Sequence, residues 1–133
     1  MTQQRKVLIV DDNHDDLIAT QRMLRTLPNL DVALVDNPFD AIDACQDCRF
    51  DMVVLDVMLP ELSGPKVASL MSSYKANGAR HVLFVTGQPQ SKLVSYLARN
   101  GISVATKPLS AATMNAALNG VGAQFEPQNV TFT

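Results

Sequence analysis

The stretch VLIVDD at residues 7–12 decides the fold class, because a continuously apolar run of four residues ends directly in two acids. Short apolar runs of the same length recur at 32–35, 52–55, 82–85 and 102–105. All of them except the last contain no polar residue, which is typical of strands covered by helices on both faces of a parallel sheet. We therefore predict a central sheet of five parallel strands.

Each gap between these runs carries helical signals. An apolar stripe with helical spacing ends before Pro28 in the first gap, and residues 89–100 fill the fourth. Helix starts are indicated at Asn37-Pro38, Gly64-Pro65 and Ser110. Alternation of strands and helices with right-handed crossovers predicts an α/β protein. Its expected form is a flavodoxin-like five-stranded parallel sheet of order 2-1-3-4-5 with five surrounding helices.

Composition limits the other possibilities. The chain has 133 residues and a net charge of −2, so we expect one domain, at residues 1–121, without the basic footprint of a nucleic-acid-binding protein. Residues 122–133 are predicted to be a polar tail or the start of a linker. The first apolar run is shorter than the roughly 7–15 residues of a signal peptide, and no run approaches a membrane span. We therefore predict a cytoplasmic location without membrane insertion.

Cys45 and Cys48 form a C-x-x-C motif, which is compatible with a redox pair or with half of a zinc site. A zinc site would need further ligands at metal spacing, and the sequence has no second cysteine pair. A redox motif belongs at the start of a helix, where the helix end depresses the thiol pKa, whereas this one ends a predicted helix. The favoured interpretation is two small side chains packed against the sheet.

Polar side chains follow the predicted strands where function gathers in such sheets. Asp11 and Asp12 follow the first strand, Asp56 ends the third, Thr86 follows the fourth and Lys107 follows the fifth. Three carboxylates in one cleft form an oxygen-rich set that suits Mg²⁺. A hydroxyl and an ammonium beside the metal would suit a phosphoryl group, and a carboxylate can be its nucleophilic acceptor.

Four motif blocks in this order resemble the receiver domain of two-component response regulators, in particular single-domain receivers of the chemotaxis type. They are VLIVDD at 7–12, VVLDVMLP at 53–60 followed by Gly64, FVT at 84–86, and Lys107-Pro108. The spacing also agrees with the family, since Asp56 lies 44 positions after Asp12 and 30 before Thr86. The resemblance covers residues 5–120.

The resemblance implies a role for each motif residue. Asp56 would be the phosphorylated residue, and Thr86 and Lys107 would hold the phosphoryl oxygens. The Lys107-Pro108 peptide would be cis. The implied Mg²⁺ ligands are Asp12, Asp56, the backbone carbonyl of Met58 and, through water, Asp11.

The resemblance also implies the partners. The phosphoryl group would come from a sensor histidine kinase or a histidine phosphotransfer protein. The output would be a downstream protein bound at the face of helix 4, strand 5 and helix 5, with Lys92, Tyr96 and Thr106 as candidate members. The chain is then a phospho-acceptor and not an enzyme with a separate substrate. A phosphohydrolase would need a general acid and a substrate pocket, for which the sequence offers no candidate.

Two further interpretations stay open. The chain can be a receiver fragment of a larger response regulator or hybrid kinase, or a pseudo-receiver that binds partners without phosphorylation. The second rests on Val104, which stands where receivers usually carry Tyr or Phe, so we expect the readout of phosphorylation to differ. Met58 and Gln88 occupy the positions that tune dephosphorylation in the family, and Met58 cannot orient a water by hydrogen bonding.

Overall fold

The computed structural model describes residues 4–71, 78–119 and 124–125. Strands and helices alternate along the chain. The strands are β1 Arg5–Val10, β2 Leu30–Val35, β3 Arg49–Asp56, β4 Gly78–Thr86, β5 Ala105–Thr106 and β6 Gln124–Phe125. The helices are α1 His14–Leu24, α2 Pro38–Asp47, α3 Gly64–Met71, α4 Lys92–Arg99 and α5 Ala111–Leu118.

The first five strands form a parallel sheet in the order β2-β1-β3-β4-β5, which confirms the predicted α/β fold and strand order. Side chains alternate between the two faces of the sheet, and each face is buried in its own apolar cluster. In β1, Leu8 and Val10 belong to one cluster, and Val7 and Ile9 belong to the other. This burial on both faces explains why the strands read as continuous apolar runs.

Side-chain caps fix where the helices begin. The side chains of Asn13, Asn37, Ser91 and Ser110 each accept a hydrogen bond from a backbone N–H three residues further along. Such caps satisfy donors that the first helical turn leaves unpaired. The starts predicted at Asn37 and Ser110 are confirmed. Helix α4 begins at Lys92, three residues later than predicted, because Ser91 is its cap.

Strand β5 is shorter and later than the predicted run at 102–105. Its only two residues, Ala105–Thr106, pair with the end of β4. Ile102 is instead part of the end of α4, where its N–H donates to the carbonyl of Leu97. Gly101 lies between them at φ +77°, a left-handed conformation that glycine adopts readily in this type of helix ending. Strand β5 can begin only after this helix ending is complete.

Strand β6 falls within the segment predicted to be a tail. It pairs antiparallel with Val82 and Leu83 of β4. Strand β3 occupies one edge of β4 at these positions, so β6 lies on the other edge, which the short β5 does not reach. The remaining residues of the predicted tail lie outside the described part of the chain. Among the described residues, no helix is long and apolar enough to cross a membrane.

Candidate functional site

Strand order brings the predicted site residues to one edge of the sheet. Asp56 is the last residue of β3 and Thr86 the last of β4, while Asp11 and Lys107 directly follow β1 and β5. Asp11, Asp56 and Thr86 are at most 5% exposed. Buried polar groups at the ends of apolar strands are costly unless they are paired. Their presence here therefore marks a site.

Three carboxylates converge at this edge. Oxygen atoms of Asp11, Asp12 and Asp56 all lie within 4.8 Å of one another. Asp12 is exposed to solvent, whereas the other two are buried. A set of carboxylate oxygens at this spacing fits a hard divalent cation such as Mg²⁺. The residues present thus suit the metal that the sequence predicted.

Lys107 supplies the positive charge of the site. Its Nζ lies 2.7 Å from Oδ2 of Asp11, 2.7 Å from Oδ2 of Asp56 and 3.0 Å from Oδ2 of Asp16. Burial lowers the pKa of Lys107, but the hydrogen bonds to these three carboxylates outweigh it and raise the pKa above its ordinary value. The ammonium therefore stays charged throughout the neutral pH range.

The carboxylate of Asp56 has a defined partner on each oxygen. Oδ2 accepts from Lys107 Nζ, and Oδ1 accepts from the N–H of Met58 at 2.9 Å. The pKa of Asp56 lies above its ordinary value, because the effect of burial outweighs the lowering by Lys107 and by the Met58 N–H. These two donors hold the carboxylate in place and orient it inside the cleft.

Thr86 is fully buried, and its Oγ1 accepts from the N–H of Gln88 at 2.9 Å. Accepting this bond does not use the hydroxyl proton. The carbonyl of Thr86 accepts from the backbone N–H of Lys107 at 2.8 Å. This bond joins the ends of β4 and β5 beside the site. The Lys107-Pro108 peptide is cis, as the resemblance implied.

Gly64 lies against the backbone at the end of β3. Its N–H donates to the carbonyl of Val57 at 2.9 Å. A Cβ on this residue would overlap the carbonyl oxygen of Asp56 and lie 3.0 Å from the Cα of Val57. Only glycine permits this close approach, so Gly64 supports the backbone that carries Asp56.

Asp16 is a site residue that the sequence analysis missed. It lies in the first turn of α1, and its backbone N–H donates to the Asn13 side chain at 3.0 Å. The sequence carried only a weak signal, namely that Asp16 is an acid shortly after Asp11 and Asp12, in a first helical turn where acids are favoured for the stability of the helix alone. The contact itself could not be inferred, since Lys107 is 91 residues away.

The other predicted residues occupy the following positions. Met58 is partly buried and packs against one apolar cluster, as does Val104. The role of the Met58 carbonyl as a metal ligand stays a prediction. Lys92 and Tyr96 are exposed on α4, and Thr106 is exposed on β5.

The two cysteines lie away from this site. Cys45 is buried, and its Sγ lies 3.3 Å from Sδ of Met71. Burial raises the pKa of the Cys45 thiol to about 12. A protonated, buried thiol is a poor nucleophile. This environment supports packing over redox chemistry for Cys45.

The chain matches the family of response regulator receiver domains over residues 7–119. It belongs to this family. Receivers are signalling domains of two-component systems, and the strand-end acids, Thr86 and Lys107 described above lie within the matched residues.

The curated relatives include histidine kinases. Histidine kinase 5 of Arabidopsis thaliana is 33% identical over 78 residues, covering 58% of this chain. Sensor histidine kinase GacS of Pseudomonas protegens is 29% identical over 111 residues, covering 79% of this chain. The chain spans only 8% and 12% of the lengths of these two relatives. This receiver is thus related to the receiver portions of much longer kinases.

Solved structures share the fold. The receiver domain of a sensor histidine kinase from Pseudomonas aeruginosa, which holds a magnesium ion in its active-site cleft, superposes with a TM-score of 0.75 at 24% identity. The match covers 88% of this chain and 96% of that one. A CheY-like receiver from Methanospirillum hungatei gives 0.72 at 18% identity, covering 89% and 93%.

Proposed function

We propose that Asp56 accepts a phosphoryl group from a phosphohistidine of a sensor histidine kinase or of a histidine phosphotransfer protein. The observation that carries the proposal is the pairing of a buried, strand-end carboxylate with Lys107 beside two further carboxylates. The histidine kinases among its relatives support the proposed donor.

The transfer moves one group between two atoms. A carboxylate oxygen of Asp56 forms a bond to phosphorus while the P–N bond to the donor histidine breaks, and the bonding electron pair returns to the imidazole. Because the product carries more negative charge than the carboxylate, stabilisation depends on nearby donors. Lys107 is positioned to neutralise a phosphoryl oxygen, and the Thr86 hydroxyl is proposed to donate to another.

The proposed cofactor is Mg²⁺, held by Asp12, Asp56 and the Met58 carbonyl, with Asp11 acting through water. When bound, the ion neutralises charge on the phosphoryl oxygens. Oδ2 of Asp11 and Oδ2 of Asp56 both contact Lys107. Lys107 therefore serves as the counter-ion of Asp11 and Asp56 when no metal is bound.

Phosphorylation is proposed to alter the face formed by α4, β5 and α5, where a downstream protein binds. Tyr96 is 45% exposed on this face, and large exposed aromatic side chains are common in protein interfaces.

The chain then acts as a phospho-acceptor without a separate substrate. We place it in the cytoplasm, because both cysteines are free thiols and reduced thiols are typical of that compartment.

The proposal is tested by intact-mass measurement after incubation with Mg²⁺ and acetyl phosphate. We expect one phosphoryl adduct on the parent, none on Asp56→Asn and none in excess EDTA. Asp51→Asn is a matched control in the same strand, and it should be phosphorylated like the parent. An adduct that survives Asp56→Asn would reject Asp56 as the acceptor. A parent without any adduct would favour the pseudo-receiver interpretation that Val104 suggests.

A further inference from the structure

Asp16 differs from the other two carboxylates that contact Lys107, because the proposed reaction gives it no role in metal binding or as the nucleophile. Asp56 is the proposed nucleophile, and Asp11 belongs to the group of carboxylates that fits a metal. Both are therefore expected to change partners when the ion binds or the phosphoryl group arrives. Asp16 lies outside that group, so we expect it to keep its contact with Lys107 when the ion binds and when the phosphoryl group arrives.

The position of Asp16 is set independently of the cleft. It is the third residue of α1, and the Asn13 cap holds its backbone N–H. A carboxylate in the first turn is also favoured by the positive end of the helix dipole. Its side chain is 43% exposed, compared with 4% for Asp11 and 7% for Asp56. The backbone of Asp16 is thus anchored by α1 and does not depend on the groups deeper in the cleft.

The ammonium group of Lys107 has three N–H donors, and the three carboxylates match that number. Two of these acceptors lie at the bottom of the cleft and the third lies at its rim on α1. Without the third acceptor, a long lysine side chain regains rotamers that point to water. One fixed acceptor at the rim restricts this freedom without blocking the two donors that face the reaction.

We infer that Asp16 is a positioning residue for the phosphoryl transfer, and that it acts by holding the ammonium of Lys107 over Asp56. This inference rests on the proposed function, because Lys107 must contact the transferred phosphoryl group for its position to affect the rate. In this inferred role Asp16 has no direct contact with the phosphoryl group or with the metal, since it lies outside the carboxylate group that fits the ion.

The kinetic test compares phosphorylation rates with phosphoramidate and Mg²⁺, followed by intact mass. We expect Asp16→Ala to slow adduct formation roughly fivefold, and Asp16→Asn, which keeps an acceptor oxygen, to slow it less. Asp15→Ala removes the same charge from the same helix turn and is the matched control, with an expected change below about twofold.

Coupling to Lys107 separates positioning from a structural role. In a Lys107→Ala background, Asp16→Ala should cause no further loss of rate, because the side chain through which it acts is gone. An equal loss in both backgrounds, or an equal loss in Asp15→Ala, would overturn the inference. If the parent forms no adduct on Asp56, the proposed function itself fails, which is a different result.

A second measurement does not depend on phosphorylation. It therefore also tests the inference if the phosphorylation of Lys107→Ala is too slow to measure. An ammonium held by three carboxylates exchanges its protons slowly, so ¹H–¹⁵N spectra should show one lysine side-chain signal that disappears in Lys107→Ala. We expect Asp16→Ala to lose or broaden this signal and Asp15→Ala to keep it. A signal unchanged by Asp16→Ala, or no such signal in the parent, would contradict the inference that Asp16 restrains the Lys107 ammonium.

Discussion

Nζ of Lys107 and Oδ2 of Asp56 lie 2.7 Å apart, although 51 residues separate them in the sequence. This ion pair joins the loop after β5 to the end of β3 and places the cation of the site directly on its proposed nucleophile. Asp56 is 5% exposed and Asp11 is 3% exposed, so both depend on Lys107 for charge compensation when no metal is bound.

Replacing this lysine should therefore destabilise the metal-free protein. We expect Lys107→Met, which keeps the apolar stem, to lower the free energy of unfolding by about 2 kcal/mol in EDTA. The loss is smaller than for a fully buried pair because the Lys107 side chain is 16% exposed. Urea denaturation measures it, and Lys92→Met on the exposed face of α4 is the control, with little expected change.

Magnesium should compensate for the missing lysine. Added Mg²⁺ binds the folded state and stabilises it by mass action, and in Lys107→Met it meets carboxylates without a competing cation. We expect the increase in thermal midpoint on adding Mg²⁺ to be larger in Lys107→Met than in the parent. An equal increase in both proteins would contradict direct competition between Lys107 and the metal.

Gly64 should tolerate no side chain. The Cβ of Gly64→Ala would overlap the backbone carbonyl of Asp56, so we expect a loss of about 1–3 kcal/mol in unfolding free energy. We also expect slower phosphorylation, since the displaced backbone carries Asp56. Gly87→Ala is the control, because its Cβ would meet only the Cδ of Lys107 at 4.0 Å. Equal stability of the two variants in urea would contradict the close approach.

Met58 is expected to prolong the phosphorylated state. Its side chain cannot orient an attacking water, whereas an asparagine can. We expect Met58→Asn to lose the phosphoryl group roughly tenfold faster than the parent after the donor is removed, as followed by intact mass. Met58→Leu is the control and should decay at the rate of the parent. Equal or slower decay in Met58→Asn would reject this role.

The buried thiol of Cys45 should affect stability at high pH. Burial raises its pKa from 9.0 to about 12, so between these values the folded state keeps a proton that the unfolded state has lost. The unfolding free energy therefore falls as pH rises above about 9. We expect this fall, measured in urea, to be less steep in Cys45→Ala than in the parent or in Cys48→Ala. Equal slopes in all three would contradict the shift.

Local sequence patterns predicted much of the fold and the site. Apolar runs at 7–10 and 52–55 indicated buried parallel strands because helices cover both faces of the sheet. The acids at their ends were predicted to meet because parallel strands end at one edge. Asn37 and Ser110 were recognisable as caps because a cap acts on its own first turn. Each of these inferences depends on residues close in sequence or on a general rule of topology.

Other features were decided only by the tertiary structure. Ile102 looks like the start of a strand, yet its N–H completes the cap of α4, which delays β5 to Ala105. Strand β6 forms because the short β5 leaves an edge of β4 unpaired. Asp16 reaches Lys107 only because α1 packs beside the loop after β5.

Residue patterns alone were enough to predict the order of strands and the meeting of Asp11, Asp12 and Asp56, because periodicity marks the strands and parallel strands run in a common direction. The proposed acceptor was indicated by the resemblance of the motifs to receiver domains. The tertiary structure decided which carboxylates Lys107 contacts and where β5 begins. Such contacts depend on how segments far apart in the chain pack to within 3 Å, a distance that no local pattern encodes.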